Sequence, residues 1–241
     1  MDSFETARNS VFMAVQALVK KGMLLGSGGN VSLCPGGDWA AITPSSIDYA
    51  ELKIEDICIV DLSGQLKDGQ STPSIETAMH LAVYEQRGDV GAVIHTHQVF
   101  ASVLGLVGKP IPALFDEQVR NLGGSVDIIP YALSGSAELK QSVAAAVVSR
   151  NNAYLLENHG ALLLGTTLAE AVRNAALLEK TAEVYWQVVS AGLSPRLLPE
   201  ESRESVFGLL KSKQQKEIRR RRRLGEHRGE GAERGTDDKT E

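Results

Sequence analysis

An apolar run of strand length, Val90 to His97, ends in the triplet His95-Thr96-His97. On a strand, residues two apart project to one face, so His95 and His97 stand side by side. A third histidine, His159, lies in Asn158-His159-Gly160 at the end of a second apolar run, Ala153 to Leu156. Glu76 precedes the pair on a segment with a helix-start signal. Three imidazoles from two strand ends and one carboxylate form a donor set suited to a divalent transition metal such as zinc. A metal-dependent enzyme is therefore the leading reading. Two other histidines add nothing to the set. His80, four residues from Glu76, reads as a packing or hydrogen-bonding residue, and His227 lies in the C-terminal tail.

Composition narrows the setting. A chain of 241 residues with 43% hydrophobic and 23% charged residues has the makeup of one globular domain. A net charge of -5 gives no global pull toward nucleic acid. Cys34 and Cys58, the only two cysteines, are far apart and in no metal spacing, so no disulfide framework is implied and a reducing cytoplasm fits. The N-terminus lacks the basic and apolar regions of a secretory signal. No apolar run approaches the length of a membrane span.

Local patterns order the rest of the chain. Phe4, Ala7, Val11, Val15, Leu18 and Val19 recur at helical spacing, with Gly22 as a stop. The loop Gly26 to Asn30 leads to short strands at 31–34 and 39–43, and 57–62 is a third. Thr72-Pro73 predicts a helix from Pro73 to about Gln86, with a hydroxyl N-cap and proline at the first position. Further helices are expected at 99–106 and 138–149, and a short strand at 128–131. Thr167-Leu168-Ala169-Glu170 is a capping box for a helix to about Ala191. The expected organisation is a domain over 1–211 and a charged, disordered tail over 212–241. The run Arg219 to Arg223 in that tail could touch nucleic acid or an acidic surface, but it has no aromatic partners and reads as solvated.

Glu76 has a bland explanation, since a helix N-terminus favours a carboxylate. Beside a metal it could bind the ion or move a proton. Together, a metal that polarises a carbonyl oxygen and stabilises the enediolate, and a carboxylate that takes the proton, suit chemistry beside a carbonyl. Small-residue loops offer an anion site: Gly28-Gly29-Asn30, Ser45-Ser46, and Ser74 at a helix start. None has Walker or Rossmann glycine spacing.

Taken in order, Gly-Gly-Asn-Val-Ser (28–32), Thr-Pro-Ser-Ser (43–46), Pro-Ser-Ile-Glu (73–76), His-Thr-His (95–97) and Asn-His-Gly (158–160) resemble the class II aldolase/adducin family, from about Phe4 to about Ser190. The likeness is to the branch of L-fuculose-1-phosphate aldolase. It implies a three-layer α/β/α sandwich on a mostly antiparallel sheet, in a homotetramer with active sites between subunits. It implies zinc, or another ion such as manganese or cobalt, on His95, His97 and His159, with Glu76 as resting ligand and catalytic acid/base. It places Gly29, Asn30, Ser45, Ser46, Ser74 and Ile75 at the substrate phosphate. At Ile75 the aldolase pattern has a hydroxyl residue, so one contact is lost. Presence of both the histidines and Glu76 favours cleavage of a ketose 1-phosphate to dihydroxyacetone phosphate and an aldehyde. Same-fold epimerases, decarboxylases, dehydratases and a non-catalytic interaction module are the alternatives. Where the aldolase has a tyrosine acid, this chain has Phe115-Asp116-Glu117-Gln118; Asp116, Glu117 or a water could substitute.

Overall fold

The computed structural model describes the backbone of residues 3–233 and the side chains of 3–223. Eight strands form one sheet: β1 (Asn30–Leu33), β2 (Trp39–Ile42), β3 (Cys58–Asp61), β4 (Leu66–Asp68), β5 (Ala92–Thr96), β6 (Asp127–Ile129), β7 (Ala153–Leu156) and β8 (Gly160–Gly165). Their order across the sheet is β4-β3-β2-β1-β5-β8-β7-β6. Every neighbouring pair is antiparallel except β6 and β7. The α/β sandwich on a mostly antiparallel sheet expected from the sequence is the observed fold.

Alternation along the strands separates two cores. Ala92 and Ile94 of β5, Ala161 and Leu163 of β8 pack with α1 (Ser3–Lys20), α3 (Val99–Leu106) and α6 (Leu168–Ser190). Val93 of β5 and Leu162 and Leu164 of β8 face the other way, against α2 (Thr77–Gln86) and α5 (Ala137–Ala146). His95 and His97 continue the Val93 row, so period-two geometry aims them into the α2 side. Half of the capping box at Thr167 forms, with the hydroxyl accepting from Glu170 N; the Glu170 carboxylate instead accepts from Thr166 N and Oγ1, one residue earlier. Two further short elements are α4 (Asp116–Asn121) and the exposed edge strand β4.

Two expectations are corrected. The helix anticipated from Pro73 begins at Thr77, with Glu76 as its N-cap residue. Pro73 instead pairs with Pro44 in an isolated bridge, a placement its fixed φ suits equally well. The tail expected to be disordered from residue 212 is helical: α7 runs Glu200–Glu233 through that boundary. Gln214 is buried and donates to Arg150 O, Lys213 pairs with Glu170, and Arg221 donates to Cys34 O and Thr166 O. Those contacts, with Glu217 bonded to Arg220 and Arg221 one turn on, stabilise a segment that composition alone leaves unsupported. The last residues of the expected tail, 234–241, lie outside the described residues. No helix among the described residues is long and apolar enough to cross a membrane.

Candidate metal and phosphate site

The central strands bring the histidines together. β1 and β8 flank β5, with Asn30 opposite His95 and Leu162 opposite His95 on the other side. The β7–β8 hairpin turns through Asn158, at φ 53°, and returns His159 to the same end. Gly160 makes the approach possible. A Cβ there would lie 2.3 Å from Thr96 O and 2.9 Å from His97 Cδ2. Gly29, at φ +78°, is similarly required, since its Cβ would lie 2.6 Å from His95 O.

The three imidazoles offer ligand atoms within 4.8 Å of one another and could hold a metal ion. His95 Nε2 and His97 Nε2 are 2.9 Å apart. Glu76 Oε2 lies 3.4 Å from His95 Nε2, and Oε1 lies 3.3 Å from His159 Nε2. Ligand atoms of a tetrahedral zinc ion, each about 2.0–2.2 Å from it, are roughly 3.3 Å apart, so these spacings fit. Tautomers fit too. His95 Nδ1–H donates to Ala161 O at 2.9 Å, which leaves the Nε2 lone pair facing the cluster. Burial pushes His95 down to about 3, so the ring stays neutral; burial also lowers His97. For Glu76, burial opposes ionisation, but the neighbouring His95 and hydrogen bonds from Ser134 and Asn30 outweigh it and hold the carboxyl well below the usual range.

The anion-site residues line a cavity of about 210 Å³ that reaches this cluster. Gly29, Asn30, Ser45, Ser46, Ser74 and Ile75 share its wall with Glu76, His97 and His159. Two loops make that wall. Ser74 N donates to Thr43 O and Ser45 N to Thr72 O, stitching 43–46 to 72–74. Ser46, at φ 60°, and Ser45 turn their hydroxyls toward each other at 3.3 Å. Ile75 is 64% exposed at the mouth. A larger groove of about 640 Å³ near Arg8 and Asp56 lacks any such convergence, and Arg8 there is paired with Asp68.

The structure departs from the sequence reading at three points. Asn30 does not turn its amide into the cavity: Nδ2 donates to Glu76 Oε2 at 2.7 Å and Oδ1 accepts from His80. Asp116 and Glu117 sit at the start of α4 outside the cavity wall, and Glu117 lies 3.9 Å from Lys180. Ser134, which the sequence did not single out, lines the cavity and donates to Glu76 Oε1 at 2.6 Å. Its only sequence signal is the small-residue run Ser134-Gly135-Ser136.

Residues 9–186 match the family profile described as class II aldolase and adducin N-terminal domain. The chain is 37% identical over 206 residues to the 5-methylthioribulose-1-phosphate/5-deoxyribulose-1-phosphate aldolase of Rhodospirillum rubrum, covering 85% of this chain and 91% of the relative. It is 32% identical over 200 residues to the 5-deoxy-D-ribulose 1-phosphate aldolase of Bacillus thuringiensis, covering 83% and 92%. A solved L-fuculose 1-phosphate aldolase superposes with a TM-score of 0.80 at 32% identity, covering 88% of this chain and 98% of that one.

Proposed function

The chain belongs to the class II aldolase and adducin N-terminal domain family and is a class II aldolase of the sugar-phosphate kind, and from that premise we propose that it cleaves a ketose 1-phosphate to dihydroxyacetone phosphate and an aldehyde. The observation that carries this reading is one cavity lined by two of three convergent histidines, a buried carboxylate and a hydroxyl-rich double loop. We assign the ion to His95, His97 and His159, with Glu76 as a fourth ligand at rest; zinc suits the donors, and manganese or cobalt would also fit. A divalent ion there supplies a Lewis acid for a carbonyl oxygen.

The protein's own groups do the rest. Backbone N–H groups of Gly29 and Ile75 and hydroxyls of Ser45, Ser46 and Ser74 bind the phosphate, with Asn30 in the same wall. Cleavage breaks the C3–C4 bond: the C4 hydroxyl loses its proton and becomes the aldehyde, and the electron pair stays on C3. Glu76, which first takes up that proton directly or through water, then delivers it to C3 as an acid. Asp116 or Glu117 could serve as the acid/base at the aldehyde oxygen only from a neighbouring subunit, consistent with a homotetramer whose sites lie between subunits. Ile75 replaces a polar contact with an apolar one at the mouth. With the deoxypentulose-phosphate aldolases among the relatives, a 5-deoxypentulose 1-phosphate is the first substrate to test. Two buried free thiols, Cys34 and Cys58, fit a cytoplasmic setting.

The test is metal analysis of the purified protein with product analysis on a panel of ketose 1-phosphates. Dihydroxyacetone phosphate appearing in a metal-dependent manner supports the reading. Turnover without it would instead favour an epimerase, decarboxylase or dehydratase.

A further inference from the structure

His80 is fully buried yet outside the metal cluster. It is the middle rung of a polar ladder between α2 and β1. Glu76, His80 and Tyr84 recur every four residues along α2, a rise of about 6 Å per step. Asn30 and Ser32 recur every two along β1, a rise of about 6.7 Å. The near-equal rises let the two rows interleave. Asn30 Nδ2 donates to Glu76 Oε2, His80 Nε2 meets Asn30 Oδ1, His80 Nδ1 lies 2.7 Å from Ser32 Oγ, and Ser32 Oγ lies 2.6 Å from Tyr84 OH.

The carboxylate sets the direction of every bond. An ionised carboxylate only accepts, so Asn30 must turn its NH₂ to Glu76 and its oxygen to His80. That oxygen accepts only, so His80 must carry its proton on Nε2. Nδ1 is then an acceptor for the Ser32 hydroxyl, and Ser32 Oγ accepts from Tyr84. Burial keeps His80 neutral, down to about 4, and pushes the Tyr84 phenol up, so it remains a donor.

We propose that His80 is a positioning residue, which pins the Asn30 amide so that its NH₂ always faces Glu76 and so fixes the orientation of that carboxylate. The consequence concerns the moment when Glu76 carries a proton. A free asparagine could then flip, accept that proton in a hydrogen bond and hold it away from the substrate. With Oδ1 held by His80 Nε2–H, the flip would set NH₂ against N–H unless the His80 proton and the Ser32 and Tyr84 hydroxyls all reversed with it. The proton of Glu76 is thus kept for the cavity side. This inference rests on Glu76 as the proton-transfer group.

The experiment uses the full-length, metal-loaded protein. In His80→Leu, kcat is expected to fall about 10–10²-fold with KM within about threefold and metal content unchanged, the size of effect that a misplaced catalytic group produces. His80→Gln, whose amide N–H reaches the Nε2 position, should recover most of that loss. Adding His80→Leu to Asn30→Ala should cost nothing further, because the path already lacks its intermediate. A purely structural role would instead lower the melting temperature of Leu and Gln variants alike and give multiplicative losses in the double variant; that pattern overturns the proposal. Should the leucine variant not fold, His80→Asn, too short to reach Asn30, replaces it in the same comparison with His80→Gln. Nitrogen NMR of the wild type separates this inference from the function above, since it needs no turnover. A neutral Nε2–H ring at His80 supports the ladder whatever the substrate, and an Nδ1–H ring refutes it.

Discussion

Replacing Glu76 by glutamine removes a charge and an acid/base group while keeping the volume. The side chain is 4% exposed and both oxygens accept hydrogen bonds, from Asn30 Nδ2 and Ser134 Oγ. A glutamine can satisfy only one of these donors through its oxygen. Asn30 cannot turn, because its Oδ1 is held by His80, so the glutamine oxygen must face Asn30. Its NH₂ then meets Ser134, whose hydroxyl can rotate to accept. The substituted network therefore remains paired, and the fold should lose only about 1 kcal/mol. Three histidines stay in place, the usual number of protein ligands for a catalytic ion, so metal should be retained. Turnover, however, should fall about 10²–10⁴-fold, or roughly 3–5 kcal/mol in the barrier. The assay follows dihydroxyacetone phosphate through a coupled NADH-dependent reduction, alongside metal content and a melting curve. A metal-loaded, folded Glu76→Gln variant with turnover within threefold of wild type would refute the role given to this carboxylate.

His97→Ala should lose most bound metal and activity, because it leaves two imidazoles; unchanged metal content after dialysis would show the ion sits elsewhere. The metal-free protein should lose stability as pH falls from 6.5. His80 and His95 have folded-state values of about 4 and about 3, below the unfolded value, so the unfolded state binds more protons in that window. His80 alone should remove about 3 kcal/mol between pH 6.5 and 4, and Glu76, also depressed, adds its loss only below about pH 4.5. Urea midpoints in chelator that stay flat from pH 7 to 5 would contradict those burials. Truncation after Ser212 should leave kcat intact but lower the melting temperature by several degrees, since it removes the bonds of Gln214 and Arg221 to the domain body; an unchanged melting curve would show that this stretch of α7 contributes nothing.

What was legible in the sequence was what repeats or punctuates. The apolar period of α1, the threonine N-cap of α6 and the histidine-bearing strand all appear where the residues point. Thr72-Pro73 misled because proline at a helix start and proline in an extended bridge share one φ, and only the pairing with Pro44 decides between them. The edge strand β4 has no buried face, hence no alternation to read. α7 misled for a related reason. Arg, Glu, Lys and Gln are good helix formers, but composition says nothing of a glutamine that finds Arg150 and Asn152 sixty residues away. Within the site, His80 was read as a hydrogen-bonding residue and is one. Asn30 was read as a phosphate ligand, whereas its side chain is spent on Glu76 and His80; the spacing Glu-x₃-His-x₃-Tyr against Asn-x-Ser carried that information once the helix and strand are known to face each other. Ser134 had no motif, because its meaning comes from a loop that approaches Glu76 only in three dimensions.

The way the site balances charge explains why its carboxylate is surrounded by neutral partners. Every hydrogen-bond donor to Glu76 among the described residues is an amide or a hydroxyl, and no lysine or arginine is paired with it. A guanidinium there would neutralise Glu76 and repel a cation from the adjacent imidazoles. Neutral donors stabilise the carboxylate without cancelling its field, so with its imidazoles deprotonated, as metal ligation requires, the cluster would present a net charge of -1. Adding a divalent ion turns that to +1 in a partly buried pocket, which favours the negative charge that develops when a carbon–carbon bond beside a carbonyl breaks. On the proposed role of Glu76, the same arithmetic would make the buried ladder behind it useful, since oriented dipoles can fix a proton-exchanging group that a salt bridge would hold ionised.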